Sequence, residues 1–257
     1  MLSTIAPGDI VRALPAQAPQ APEAFGAIFD DFERILVPGL THWNHPGFMA
    51  YFAITASAPG ILAEFLSAAL NQQAMLWRTS PAATELEQVA LNWLRQLIGL
   101  PESFSGVIYD TASISTLHAL TAARERVVPE VRAHGLSGRH LPLYRVYCSD
   151  QAHSSVDKAV IAIGLGHEAL ARVASDKTFC MDVDALATAI AADRAAAVVP
   201  LAVVATIADF PFARLTVGES FGGLTLEQMT GLRESTTGAM AVILVLMPFS
   251  VKALVDL

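Results

Sequence analysis

After Pro142 the chain alternates short apolar runs with amphipathic stretches, and this alternation limits the possible folds more than any other feature. Residues 144–148 read as a strand, 154–163 as a helix, 171–173 as a short strand, 182–192 as a helix and 196–206 as a strand. Strands separated by helices of this length cannot pair as hairpins. They require crossover connections, and therefore a parallel sheet with helices packed on it, an α/β fold.

The N-terminal part reads differently. A Pro/Ala/Gln stretch, LPAQAPQAP at 14–22, separates a short arm from Phe25, Ile28, Phe29, Phe32 and Leu36, which share one helical face. An aromatic loop follows, THWNHPGFMAYF, and then a helix beginning near Pro59. Ser80 and Pro81 make a cap and first-turn pair. The helix they open carries Leu86, Val89, Trp93, Leu94 and Leu97 on one side until Gly99 and Pro101 stop it. Another helix is expected over 113–127. The longest apolar run, residues 239–249, is 11 residues, against about 20 for a spanning helix, and reads as a core strand.

Composition narrows the function. Only 16% of the 257 residues are charged while 53% are hydrophobic, against a usual charged share of about 25%. Apolar faces buried against another subunit are expected. The net charge of -8 without a basic run argues against a nucleic-acid partner. The opening MLSTIAPGDIVRALP lacks the pattern of a secretory signal, so a cytoplasmic location with no membrane association is expected. Cys148 and Cys180 lack metal-ligand spacing and read as two buried structural thiols, with no metal site.

Five stretches carry a more specific signal: VPGLTHWNHPGFMAYF, LWRTSPAATELEQVALNWLRQLIGLP, GVIYDTASISTLHALTAARE, SDQAHSSVDKA and MDVDALATAIAADRAAAVVPLAVVAT. Together, over residues 22–206, they closely resemble the pyridoxal-phosphate (PLP)-dependent decarboxylases of the aromatic-L-amino-acid (group II) family, in family order. The resemblance implies an amino-acid carboxy-lyase working as a homodimer. It also implies part of the large domain of the type I (aspartate aminotransferase) fold, preceded by an N-terminal helical arm. The division expected is an arm and helical segment over 1–100, a partial PLP-binding domain over 101–206 and a divergent tail over 207–257.

The resemblance assigns roles that the chemistry explains. Thr111, Ala112 and Ser113 stand at a helix start, where free backbone N–H groups and the helix dipole favour a phosphate dianion; they match the family's phosphate cup. A simpler reading, compatible with this one, makes Ser113 the helix cap. His153 follows the 144–148 strand at the sheet edge where open α/β folds bind ligands. Its family counterpart stacks on the cofactor ring and helps handle the substrate carboxylate. Trp43, Tyr51 and Phe52 match substrate-side aromatics, although Ala53 and Ile54 stand where animal members have Pro and Thr.

The match breaks after VVAT. The family continues with an Asp-Ala-x-x-Gly strand end, whose aspartate pairs with the pyridine nitrogen, and a His-Lys whose lysine binds the cofactor covalently. Here Thr206 is followed by Ile207, Ala208 and Asp209, and the only lysines are Lys158, Lys177 and Lys252. The expectation is a chain inactive on its own as a decarboxylase, needing a missing C-terminal half or another polypeptide. One alternative is a non-catalytic fragment that docks on an intact decarboxylase subunit.

A second alternative lies in the tail, where GESFG satisfies G-x-S-x-G around Ser220 in a strand–turn–helix context resembling a serine-hydrolase nucleophile elbow. Such enzymes place a histidine after the serine, but the histidines here are His42, His45, His118, His134, His140, His153 and His167, all upstream.

Overall fold

The computed structural model describes residues 2–50, 57–97, 99, 100, 102, 104–177 and 179–205, together with the backbone of 206, 207 and 241–246. The chain divides into two compact units, Met1–Ile61 and Leu62–Leu257.

In the first unit, α1 (Asp9–Ala13) precedes α2 (Phe25–Asp31), which continues into a wider π-helical turn, Phe32–Leu36, and a short 3-10 turn, Val37–Gly39. The predicted aromatic face is present as a ladder. Phe25 and Phe29 stack with centroids 6.1 Å apart, and Phe29 and Phe32 lie at 5.8 Å. These rings remain exposed within the chain while Ile35 is buried. Gly39 permits a close approach, because a Cβ there would stand 3.0 Å from the Ile5 side chain and 3.2 Å from that of Ile10.

Helix α3 (Ala58–Leu70) begins beside Pro59 as the sequence predicts. In the second unit α4 (Pro81–Leu97) starts directly after Ser80, whose carbonyl accepts from Thr84 N at 3.1 Å while its hydroxyl donates to Gln72 Oε1 at 3.0 Å. Then come α5 (Ala112–Val127), the short α6 (Val131–His134), β1 (Tyr144–Ser149), α7 (Ser155–Ala162), β2 (Leu170–Val173), α8 (Val183–Ala195), β3 (Val199–Ile207) and β4 (Ala241–Leu246). The strands form one sheet in the order β2-β1-β3-β4, and every neighbouring pair is parallel. The apolar run at 239–249 thus contributes β4.

Side-chain alternation along the strands builds two cores. On one face Tyr144, Val146, Cys148, Ala202 and Val204 pack with Leu120 and Ala123 of α5 and Val156, Ala159 and Val160 of α7. On the other, Tyr147, Val173, Val203 and Ala205 meet Leu186 and Ile190 of α8, with Leu94 and Leu100 against them. Leu201 joins the first core, as do its chain neighbour Ala202 and then Val204, although Val203, its next neighbour in phase, belongs to the second. A register shift explains this: Arg145 pairs with Pro200 and Val146 with Ala202, leaving Leu201 as the extra residue of a bulge. Pro200, which has no N–H to donate, sits at the irregular start of β3, before its pairing with β4 begins at Ala202.

Two boundary expectations are corrected. β3 begins at Val199 rather than 196, because α8 runs on to Ala195, Ala196 forms its C-cap and Ala197 takes a positive φ of 60°. Cys180 is half-buried in a loop, its backbone N–H held by Asp176 Oδ1 at 3.0 Å, whereas Cys148 is buried in β1 as expected.

Candidate functional site

The edge formed by the C-terminal ends of the strands is where an open parallel sheet can receive a ligand, because crossover helices cover the faces but leave this edge open. β1 delivers Ser149, Asp150, Gln151, Ala152 and His153 there before α7 turns back along the sheet.

The turn is tightly bonded. Asp150 N donates to Val173 O at 2.8 Å, tying it to the end of β2. Asp150 Oδ1 accepts from Ser175 Oγ at 2.7 Å, and Ser149 Oγ accepts from Gln151 N at 3.0 Å. The Ser175 hydroxyl, ahead of the other donors, holds the Asp150 carboxyl below the usual carboxylate range. None of these anchoring residues was singled out from sequence; the adjacent Ser-Asp at the end of a predicted strand was the available signal.

His153 is exposed at this turn. Its Nδ1 accepts from Ser155 N at 3.1 Å, and its carbonyl accepts from Val156 N at 3.0 Å. A nitrogen that accepts from a backbone N–H carries no proton, so in the neutral ring the proton sits on Nε2, facing away from α7. The imidazole is thus oriented by its own helix start, with a donor directed outward.

Helix α5 reaches the same edge. Near its C-terminal end Arg124 donates to Ile163 O at 2.7 Å, at the end of α7, so the two helices share their C-terminal ends. α5 packs along β3, β4 and α7. Its 16 residues span about 24 Å, which carries its N-terminus to the open edge or beyond.

Thr111 is the N-cap, with extended backbone and an Oγ1 that accepts from Ile114 N at 3.2 Å. This corrects the reading of Ser113 as the cap: Ser113 lies inside the first turn, where its hydroxyl is exposed. The Ala112 and Ser113 N–H groups precede the first intrahelical bond and have no acceptor within the helix. Two backbone donors, the Thr111 hydroxyl proton, the Ser113 hydroxyl and the positive end of a long helix dipole make a donor set that fits a phosphate. The lead-in to this helix is fixed as well: Ile108 N donates to Glu87 Oε1 of α4 at 2.9 Å, and the Tyr109 ring stacks on His118 at 4.6 Å.

Of the predicted site residues, the second unit therefore brings Thr111, Ala112, Ser113 and His153 to one sheet edge. Trp43 belongs to the first unit, half-exposed and packed on Phe48 with centroids 4.9 Å apart. Tyr51, Phe52, Ser220 and Lys252 lie outside the described residues. Lys158 is exposed on α7 and Lys177 is exposed in the loop before α8. Among the described residues no cluster of side chains could hold a metal ion, and no helix is long and apolar enough to cross a membrane.

Comparison with known proteins bears on the family and the fold. The model of the pyridoxal-dependent decarboxylase conserved domain matches residues 7–209. Aromatic-L-amino-acid decarboxylase of Bos taurus is 42% identical over 212 residues, 78% of this chain and 43% of the relative. Tryptophan decarboxylase 2 of Oryza sativa is 37% identical over 215 residues, 80% of this chain and 42% of the relative. Among solved structures, Catharanthus roseus tryptophan decarboxylase in complex with L-tryptophan superposes with a TM-score of 0.76 at 29% identity, covering 95% of this chain and 50% of that one. The Oryza sativa enzyme with PLP and tryptamine gives 0.77 at 29% identity, covering 94% and 49%. The chain spans less than half the length of the curated relatives it matches. With its five motifs in order and its parallel sheet matched, the chain belongs to the pyridoxal-dependent decarboxylase family.

Proposed function

We propose that residues 101–206 carry the phosphate-binding and ring-facing part of a pyridoxal phosphate site of an amino-acid decarboxylase, and that this chain by itself holds the cofactor weakly and without a covalent bond. The observation that carries the reading is the convergence of the open α5 N-terminus and the outward-facing His153 on one sheet edge.

Thr111, Ala112 and Ser113 would hold the phosphate. His153, its Nδ1 engaged by Ser155, would lie against the ring and present the Nε2 proton to a substrate carboxylate. When bound, the cofactor supplies an electron sink for the pair released as a carboxylate leaves as CO2. That chemistry needs a carboxylate to keep the ring nitrogen protonated and a lysine to hold the cofactor until the substrate amine takes its place, and no residue of this sequence stands in the family context for either role. Decarboxylation is therefore assigned to an assembly in which another polypeptide segment contributes both.

A second subunit is the natural cover for the helices that precede the sheet. Phe65, Leu66, Leu86, Trp93 and Leu97 are all exposed in the isolated chain, and contiguous apolar patches above roughly a few hundred Å2 are uncommon on monomers. The amino acid acted on by the relatives suggests an aromatic substrate, with Trp43, Tyr51 and Phe52 as its side-chain contacts.

The test is cofactor binding to the purified chain. Reversible binding that is lost on dialysis, weakens in a His153→Ala variant and is not fixed by borohydride is the expected result. A visible imine band made permanent by borohydride and mapped to Lys158, Lys177 or Lys252 would overturn the non-covalent reading.

A further inference from the structure

Strand β2 lies at the edge of the sheet beside β1, and its last residues, with the loop that follows, reach both ends of the His153 turn. On the entry side, Val173 O accepts from Asp150 N at 2.8 Å and Ser175 Oγ donates to Asp150 Oδ1 at 2.7 Å. On the exit side, Arg172 Nη2 donates to Asp157 Oδ2 at 2.7 Å, in the first turn of α7. Arg172 Nη1 stands 3.5 Å from Asp150 O, so one guanidinium spans from the first residue of the turn to the helix after it. Between Asp150 and Asp157 lies the whole segment that carries His153 and the Ser155 N–H on which its Nδ1 rests.

We propose that Arg172 and Ser175 are positioning residues for His153: β2 clamps the turn at Asp157 and at Asp150, and so keeps the imidazole with Nδ1 on Ser155 N and the Nε2 proton facing outward. The effect on the cofactor rests on the ring-facing role given to His153 above; the orientation itself does not. The clamp matters little to the fold as a whole. The Arg172–Asp157 pair is partly exposed, where ion pairs add little stability, and the β1–β2 ladder is registered from Val146 and Leu170 to Ser149 and Val173 by backbone bonds alone. It matters to the ring because the Nδ1 bond to Ser155 N exists only while residues 153–155 keep the geometry of the helix start. A turn released at either end frees the ring to rotate and to exchange its proton between the two nitrogens, and a group displaced by a fraction of a bond length no longer meets its ligand in line.

The experiment follows the ring nitrogens of His153 by NMR in the full chain, above the ordinary imidazole titration range, with the signals identified by their loss in His153→Ala. Exchange of the Ser155 amide proton, PLP affinity and thermal melting are measured on the same samples. The variants are Ser175→Ala and Arg172→Ala, singly and together, with Ser175→Thr keeping the hydroxyl and Arg172→Lys keeping the charge opposite Asp157. In the double alanine variant the nitrogen shifts should move toward those of a freely exchanging imidazole, and the Ser155 amide should exchange about tenfold faster. PLP binding should weaken about fivefold while the melting temperature stays within about 4 °C of the parent. The two conservative variants should keep the parent's signals. Placed in a His153→Ala background, the double variant should change PLP affinity by less than about 1.5-fold, because a positioning effect needs the residue it positions. Unchanged nitrogen shifts and amide exchange in the double variant overturn the proposal, and so does a loss of PLP affinity of the same size with His153 absent. If His153→Ala binds PLP as tightly as the parent, the ring-facing reading fails, and the nitrogen shifts and Ser155 exchange alone decide the clamp.

Discussion

The Tyr147 hydroxyl donates to Asp193 Oδ2 at 2.7 Å, joining the middle of β1 to the last turn of α8. The same carboxylate receives Arg145 through Nε at 3.1 Å and through a second nitrogen at 3.3 Å. Tyr147 is completely buried and Asp193 partly so, with 17% of its side chain exposed, and the phenol's hydrogen bond goes to this carboxylate. Burial, and next the bond to Asp193, raise the Tyr147 hydroxyl well above its ordinary pKa.

Removing the acceptor should therefore cost more than removing the donor. Tyr147→Phe gives up one hydrogen bond while Asp193 keeps Arg145, an expected loss of about 1 kcal/mol. Asp193→Ala strands a buried hydroxyl and takes the carboxylate from Arg145, leaving that guanidinium the Glu168 carbonyl, and should cost about 3 kcal/mol. Chemical denaturation of the two variants checks the order; equal losses would mean that the phenol, not the carboxylate, anchors the pair.

The turn before His153 should show its own acid dependence. Because the folded pKa of Asp150 lies below the ordinary aspartate value, the folded chain binds fewer protons than the unfolded chain across that window. The contribution is fully present above the unfolded value and is lost as pH falls through the folded one. Asp150→Asn should flatten the stability profile on the acid side of pH 4 or so and leave the neutral range unchanged. A variant whose profile keeps the parent's acid limb would show that Asp150 does not report on this turn.

Thr111 and Ser113 can be separated by what each loss affects. Thr111→Ala removes the bond to Ile114 N and should cost about 1 kcal/mol of stability, and phosphate binding should weaken with it. Ser113→Ala, inside the first turn, should weaken phosphate binding severalfold while leaving stability within about 0.5 kcal/mol. Thermal melts paired with PLP titrations distinguish the two. A Ser113→Ala chain that binds PLP as the parent does would place the phosphate donors elsewhere.

Leu120 ties the cup to the sheet. Its side chain is fully buried between α5 and the strands, and Leu120→Ala should cost about 2–5 kcal/mol through the cavity it leaves. Urea titration gives the figure; a loss below about 1 kcal/mol would indicate that this helix is only loosely packed on the sheet.

Association is the remaining expectation. In light scattering the chain should be dimeric or larger and should bind a hydrophobic dye, while Phe65→Glu or Trp93→Glu should shift it toward monomer. A monodisperse parent monomer without dye binding would remove the argument from exposed apolar helices.

Periodicity was sufficient for the elements themselves. The β1 run and the α8 pattern could be read directly, because burial of one face forces a repeat of 2 or 3.6 into the sequence; the α4 face repeats in the same way although most of it is exposed in this chain, and the parallel arrangement followed from the length of the crossovers. The motif residues at 111–113 and 153 were legible for a related reason: a helix start and a strand end are local features. The sequence alone also carries the absence of a His-Lys and an Asp-Ala-x-x-Gly, on which the expected lack of covalent cofactor binding rests. Only the tertiary structure decided that Thr111 rather than Ser113 is the cap, that Leu201 bulges so that β3 serves both cores, that Asp193 answers Tyr147 across 46 positions, and that Glu87 of α4 holds the lead-in to α5 through Ile108 N. The cap turns on backbone conformation at Thr111 and the bulge on strand register, while the bonds between distant residues depend on which donors and acceptors meet after the helices pack on the sheet and leave no period to read.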